Sequence, residues 1–236
     1  PSGRCVTCAN NIVEGSRRYE MTIHFYRDHI YPYLVDAWGN PQPIQKIRQQ
    51  IIPFAQGKVL EIGAGSGANF PHYDPAKVSM LYALEPNPGM VRLAEKKAHR
   101  NLNIEHLELP GERIPLDDGT IDTVVSTFTL CTIPGVEDAI QGIARILKQE
   151  GKLIFFELGL SADPKVQRRQ KQLEPLAHWL FQGLYLTRNI PSLITRYGFQ
   201  IKQMEMGYLA QFPKSSTYCW WGMAELQQEH NPISAI

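Results

Sequence analysis

The sequence predicts an α/β fold: one open, mostly parallel sheet of seven strands with helices on both faces, closed at one edge by an antiparallel hairpin. Three observations carry that reading. Apolar runs of strand length alternate with stretches of helical period. A three-glycine turn, Gly63-Ala64-Gly65-Ser66-Gly67, follows the first of those runs. Only the short, turn-rich piece from Gly207 to Ser216 separates the last two. A parallel crossover needs roughly a dozen residues and usually a helix, so the last pair folds back on itself.

The strands are read at Lys58 to Gly63, Met80 to Glu85, Asn103 to Leu109, Ile121 to Thr127, Lys152 to Gly159, Phe199 to Tyr208 and Thr217 to Leu226. Asn87-Pro88 and Asp163-Pro164 each supply a helix N-cap followed by a first-turn proline. Ile140, Ile143, Ile146 and Leu147 form a helical stripe, with Gly151 read as its C-terminal stop. Ahead of the first strand, Ile23, Tyr26, Ile30, Tyr33, Leu34 and Ala37 recur at helical spacing, with Pro32 as a bend. Ile44, Ile47, Ile51 and Phe54 form a second stripe after Pro41 and Pro43. Such stripes ordinarily pack inward; the functional alternative is a lid in which Phe25, Tyr26 and Tyr31 keep water from a ligand. This divides one compact domain into a helical lid segment, 1–56, and a ligand-binding body, 57–236.

Composition narrows the partners. The 236 residues suffice for one α/β domain, and 43% hydrophobic with 20% charged is an ordinary balance for a full core. A formal net charge of +1 without a basic run gives no footprint for nucleic acid. No apolar run approaches the roughly 18 residues of a spanning helix. Cys5, Cys8, Cys131 and Cys219 are scattered rather than framed as disulfides, and no signal peptide is read ahead of the fold, so a reducing, cytoplasmic setting is expected. Cys5-x-x-Cys8 lacks the second pair or the histidines of a zinc site, and no metal is expected.

The chemistry concentrates around the glycine turn. Glycine is needed where backbone takes positive φ or approaches a ligand closely, so Gly63, Gly65 and Gly67 mark a turn shaped around something bound. Gly63, Gly65 and Ala68 also fit the fingerprint of pyrophosphate binders, which leaves an NAD-type oxidoreductase open. Glu61 weighs against it: a carboxylate beside the turn repels pyrophosphate and suits a cationic amino-acid end. Glu85, followed by Pro86-Asn87-Pro88, stands about twenty residues on, where an acidic side chain accepts ribose hydroxyls. Thr127, Leu130 and Cys131, at the end of the fourth strand, face the same crevice if the sheet is parallel. Cys131 has no histidine at an activating position and reads as a packed thiol.

Taken in order and spacing, Val59 to Gly67, Tyr82-Ala-Leu-Glu85-Pro-Asn, Gly111-Glu112, Asp122 to Thr127 and Leu147 to Phe155 resemble the class I S-adenosylmethionine-dependent methyltransferases, over roughly Gly57 to Leu226. The resemblance implies a Rossmann-like fold and S-adenosylmethionine as methyl donor, with S-adenosylhomocysteine as product. It implies cofactor contacts from Glu61, Gly63, Ala64, Gly65, Gly67, Asn69, Glu85, Pro86, Thr127, Leu130 and Cys131, and an adenine held by the Gly111 amide and the Glu112 carboxylate.

Within that superfamily, Gly65-x-Gly67-Ala-Asn69-Phe70, Thr129-Leu-Cys131, Phe155-Phe156-Glu157 and the segment from His178 to Arg188 are similar to enzymes that methylate alkyl thiols at membranes. More loosely, the chain resembles the ubiquinone/menaquinone-pathway and phospholipid N-methyltransferases. Two positions depart: Leu158 follows Glu157 where the thiol group has a histidine, and Pro110 replaces the aspartate common before the adenine contact. The reaction implied is in-line displacement at a sulfonium methyl group, with Glu157, His178 and Asp163 as candidate bases. Leu173 to Arg188 is rich in bulky apolar residues, so Trp179 and Tyr185 join Tyr26 and Tyr31 as candidate substrate or lid contacts. The expected partner is a small, apolar acceptor, with peripheral membrane contact compatible and oligomeric state open. A non-catalytic S-adenosylmethionine-binding protein is a further alternative.

Overall fold

A computed structural model describes residues 29–97 and 101–227. Two helices, α1 (Tyr31–Gly39) and α2 (Gln42–Ile51), precede β1 (Gly57–Ile62) and β2 (Val78–Leu84). There follow α3 (Pro88–Lys97), β3 (Ile104–Leu107), β4 (Ile121–Thr127), α4 (Val136–Ile146), β5 (Leu147–Leu158), α5 (Pro164–Leu180), α6 (Ile190–Arg196), β6 (Phe199–Tyr208) and β7 (Tyr218–Leu226). The strands form one sheet in the order β3-β2-β1-β4-β5-β7-β6. Pairing is parallel from β3 through β5, and antiparallel where β7 meets β5 and β6. The expected α/β sheet with its closing hairpin is therefore the fold found.

The chain runs outward from β1 through β2 to β3, then returns to place β4 on the other side of β1. That reversal opens a crevice beyond the carboxyl ends of β1 and β4, where ligands of open α/β sheets bind. Two apolar cores, one on each face, cover the sheet. Ile140, Ile143 and Ile146 of α4 are fully buried against Leu60, Val124 and Phe155, each burial contributing on the order of 1.5–3 kcal/mol. On the opposite face, Ile44, Ile47 and Ile51 of α2 pack with Val59, Phe70 and Phe156.

The helix starts are local. Asn87 Oδ1 accepts from the Gly89 and Met90 amides at 2.8 and 3.2 Å, and Asp163 accepts from the Lys165 amide at 2.8 Å. Three details differ from expectation. The helix that Gly151 was to stop ends at Ile146 instead, because Leu147 leaves it to pair with Ile121. Pro32 lies in the first turn of α1 instead of in a helix interior. Phe54 is 53% exposed, outside the α2 stripe, because the chain tightens into a short 3-10 turn at Ile52.

Candidate functional site

A cavity of about 520 Å³ lies at the carboxyl ends of β1, β2 and β4, well within the range of small-molecule sites. Its floor is the glycine turn. Gly63, Gly65 and Gly67 take φ values of 65°, 54° and 71°, a region that costs other residues roughly 1–2 kcal/mol. A Cβ on Gly63 would overlap Thr129, and one on Gly67 would lie 2.8 Å from the Phe70 ring, so the turn is fixed by what packs beneath it.

Three carboxylates surround that floor. Glu61 is buried; Asn69 Nδ2 donates to Oε1 at 2.9 Å and Tyr73 OH donates to Oε2 at 2.8 Å. Burial pushes its carboxyl up to about 7, against the pull of those two donors and of Arg48. Glu85 spans the turn, with Gly65 N donating to Oε2 at 3.0 Å and Asn87 N to Oε1 at 2.9 Å. Burial raises it to about 7 as well. Glu112 accepts from Gly135 N at 3.1 Å, ahead of α4, and is among the residues lining the cavity.

The roof is apolar and comes from distant segments. Tyr31 and Val35 of α1, Phe128, Ile133, Leu158, Phe181 and Leu184 line it. Tyr31 OH donates to the Phe181 carbonyl at 3.2 Å, tying α1 to the end of α5. Asp36 accepts from Ser66 Oγ and Lys97 Nζ, which ties α1 to the glycine turn and to α3. Phe128 has φ 55°, unusual for an aromatic residue, and this turns the chain sharply as it leaves β4.

Residues 60–155 match the family described as "Methyltransferase domain". The human "Thiol S-methyltransferase TMT1B" is 36% identical over 160 residues, 64% of each chain. The human "Thiol S-methyltransferase TMT1A" is 31% identical over 153 residues, 62% of each. A "Ubiquinone/menaquinone biosynthesis C-methyltransferase UbiE" from Citrifermentans bemidjiense is 31% identical over 117 residues, 46% of this chain and 48% of its own. A solved S-adenosylmethionine-dependent methyltransferase from Leishmania major superposes with a TM-score of 0.62 at 13% identity, covering 86% of this chain and 81% of its own. Over residues 60–155 the chain is thus similar to a methyltransferase domain, and its fold is that of solved S-adenosylmethionine-dependent methyltransferases. It spans a little under two thirds of the length of the thiol S-methyltransferases it matches.

The cavity fits S-adenosylmethionine. Asn69 lines the cavity, and its Oδ1 is a buried acceptor with no hydrogen-bond partner among the described residues. The strand-end position of Glu85 leaves acceptor capacity beyond its two backbone bonds. Nothing would lie closer than 3.9 Å to a Cβ on Gly65, so a ligand has direct access to that backbone.

Of the residues singled out in the sequence, Glu61, Gly63, Ala64, Gly65, Asn69, Glu85, Pro86, Gly111, Glu112, Thr127, Cys131 and Tyr31 line the cavity. Gly67 shapes the turn without lining it. Tyr26, Cys5 and Cys8 lie outside the described residues.

Five assignments need correction. Leu130 points into the apolar core on the α4 face, beside Ile133 and Val136. Glu157 is fully buried and does not line the cavity; its oxygens accept from Ser126 Oγ at 2.6 Å and from the Thr129, Leu130 and Cys131 amides at 3.1 Å each. With those lone pairs committed to the loop after β4, it acts as a structural anchor and is not placed to take a proton from a ligand. His178 is exposed at the end of α5, its ring edge-on to Tyr185 at 4.8 Å. Trp179 is 76% exposed. Tyr185 lies off the cavity under the Arg188 guanidinium, 3.9 Å from its ring centre.

Arg48 was missed, although the sequence held a signal. It is a charged residue set inside the stripe of Ile44, Ile47 and Ile51 at helical spacing, and only 4% of it is exposed.

Proposed function

We propose that this domain transfers a methyl group from S-adenosylmethionine to the sulfur of a small, lipophilic thiol. The observation that carries the reading is the pairing of the apolar roof with two thiol S-methyltransferases at 31% and 36% identity. When bound, the donor supplies a sulfonium methyl group open to in-line displacement. The chain's residues hold it and exclude water: the glycine turn and Glu85 the ribose, Gly111 and Glu112 the adenine, Glu61 with Asn69 the cationic end. Fixing donor and acceptor in register accounts for on the order of 7–11 kcal/mol of a barrier, so positioning is the main task.

With Glu157 and His178 out of reach, the chemistry that asks least of the protein is favoured. A thiol is more acidic than an alcohol and its thiolate is intrinsically very nucleophilic, so even a small ionised fraction reacts and needs no dedicated base. An ammonium or a hydroxyl would. Phe128, Ile133, Phe181 and Leu184 suit an apolar body attached to that sulfur.

An S-adenosylhomocysteine-release assay with alkyl thiols, quinols and ethanolamine phospholipids tests the reading. Turnover of thiols alone is expected. Turnover of quinols alone would replace it with the C-methyl transfer named for the UbiE relatives, and donor binding without turnover on any acceptor would mark a non-catalytic binder.

A further inference from the structure

The loop that leaves β4 is held from two sides. On one side, the buried Glu157 carboxylate accepts from the Thr129, Leu130 and Cys131 amides. On the other lies the segment after α5: the Tyr185 amide donates to the Cys131 carbonyl at 2.9 Å, and Arg188 Nη1 donates to the Leu130 carbonyl at 2.6 Å. The guanidinium is steadied in turn by the Tyr185 ring, 3.9 Å from its centre. The Leu130 carbonyl and the Cys131 amide belong to one peptide group. Among the described residues no peptide bond is cis, so the two point in opposite directions. That single group therefore stands between an anion and a cation. Among the described residues neither Glu157 nor Arg188 has an oppositely charged atom within 4 Å, and a buried carboxylate left without a countercharge is costly. A peptide dipole aligned between the two charges strengthens both hydrogen bonds and couples the charges through itself.

This clamp joins two walls of the cavity. Phe128, Cys131 and Ile133 stand on the loop after β4, whereas Phe181 and Leu184 stand on the segment after α5. Gly183 lets the two come close, since a Cβ there would lie 2.8 Å from the Thr132 carbonyl oxygen. Resting on the acceptor reading above, we propose that Arg188 is a positioning residue for the methyl acceptor. By holding the Leu130–Cys131 peptide against Glu157, it sets the distance between the two apolar walls, and with it the bulk of acceptor that the pocket admits. Arg188 is not among the residues lining the cavity, so it acts only through those it holds. Glu85, at the end of β2, is separated from this loop by β1. The effect therefore falls on the acceptor and spares the nucleoside.

The test takes the whole chain through two measurements. In the first, KM and kcat are determined for thiols of increasing bulk, from ethanethiol to cyclohexanethiol and benzyl mercaptan, with S-adenosylmethionine saturating. Arg188→Met should raise KM roughly 10-fold and shrink the spread between best and worst acceptor several-fold, with kcat and S-adenosylhomocysteine affinity within about threefold of wild type. Arg188→Lys keeps the charge without the planar fork and should recover part of the spread. A fall in kcat alone, or an equal loss on every thiol, is what a merely loosened fold gives, and overturns the assignment. The second measurement needs no acceptor: chemical denaturation of Arg188→Met, Glu157→Gln and the double variant. Since both charges act on one peptide group, the second substitution should shift the midpoint by less than about half of what it does alone. Additive shifts overturn the clamp. Should Glu157→Gln fail to fold, hydrogen exchange of the Cys131 amide in Arg188→Met is read instead; acceleration of about tenfold or more is expected, and an unchanged rate overturns the clamp. If no thiol is turned over by wild type, the acceptor reading falls, while the denaturation cycle still decides whether the clamp exists.

Discussion

The turn after β1 and the turn after β4 are each held by a buried glutamate, yet only one of the two makes a ligand site. Glu61 takes one donor on each oxygen and faces the cavity. Glu157 takes four donors and faces none of it. Position at a strand end and burial are common to both. What separates them is where the remaining hydrogen-bonding capacity points. The glutamate of β1 keeps a charge beside an open space, whereas that of β5 spends its charge on its own backbone.

The largest effect should come from the closed glutamate. Glu157→Ala would leave three buried backbone amides and the Ser126 hydroxyl without their acceptor, at about 1–3 kcal/mol apiece before relaxation, so a loss of roughly 3–5 kcal/mol in chemical denaturation is expected. A variant of wild-type stability that binds S-adenosylhomocysteine normally but does not turn over would restore Glu157 as a base. Gly63→Ala comes next. Its left-handed φ and the overlap with Thr129 should cost a few kcal/mol and weaken nucleoside binding together. Retained affinity in titration calorimetry would mean that the turn does not face the ligand.

On the open side, the effect should fall on binding and spare the fold. Glu85→Ala removes the acceptor of the Gly65 and Asn87 amides as well as the ribose contact, and about a 10- to 100-fold loss of S-adenosylmethionine affinity is expected, with the far-ultraviolet dichroism unchanged. Affinity within twofold of wild type would end that assignment. A smaller effect follows from pH. Burial raises Glu61 and Glu85 from 4.5 to about 7, so the folded protein holds more protons than the unfolded chain between about pH 4.5 and 7. The contribution of these groups to stability is therefore present at low pH and is lost as pH rises through that window. A cationic donor selects the ionised carboxylates, so its affinity should move the other way, rising several-fold between about pH 6 and 8 while protons are released. Titrations in buffers of different ionisation enthalpy would reveal that release. A flat profile would place both carboxyls outside the binding equilibrium.

The same contrast explains what could be read from the sequence. The sheet was legible because its strands carry apolar runs or apolar–polar alternation of strand length, and Ile121–Thr127 and Phe199–Tyr208 were located to the residue. The nucleoside half of the cavity was legible because Glu61, the glycines and Glu85 sit in a short stretch whose spacing is set by the connection from β1 to β2. The roof was not. Val35, Phe128, Phe181 and Leu184 meet only through tertiary packing, and no local pattern relates them. Glu157 and His178 were chosen for their chemical type, but type does not say which way a side chain points. Arg48 shows the opposite case, since a cation set in an apolar helical stripe can be seen without any structure.

The smallest effect concerns the acceptor side, where two conspicuous side chains should prove dispensable. His178 and Trp179 end α5 facing away from the cavity, and the feature of His178 that the fold uses is its carbonyl, which accepts from the Gly183 amide at 2.9 Å. Gly183 has φ 122°, and a Cβ there would lie 2.8 Å from the Thr132 carbonyl oxygen. The return of the chain from α5 toward Leu184 is therefore fixed by that glycine rather than by the imidazole. His178→Gln keeps the carbonyl and removes the titratable ring, so kcat/KM on a thiol acceptor should stay within about twofold across pH 6 to 9. If the substitution erased a limb of the pH–rate profile between pH 6 and 7, the imidazole would have to reach the acceptor in the working enzyme. The segment following α5 would then have to move to bring it there.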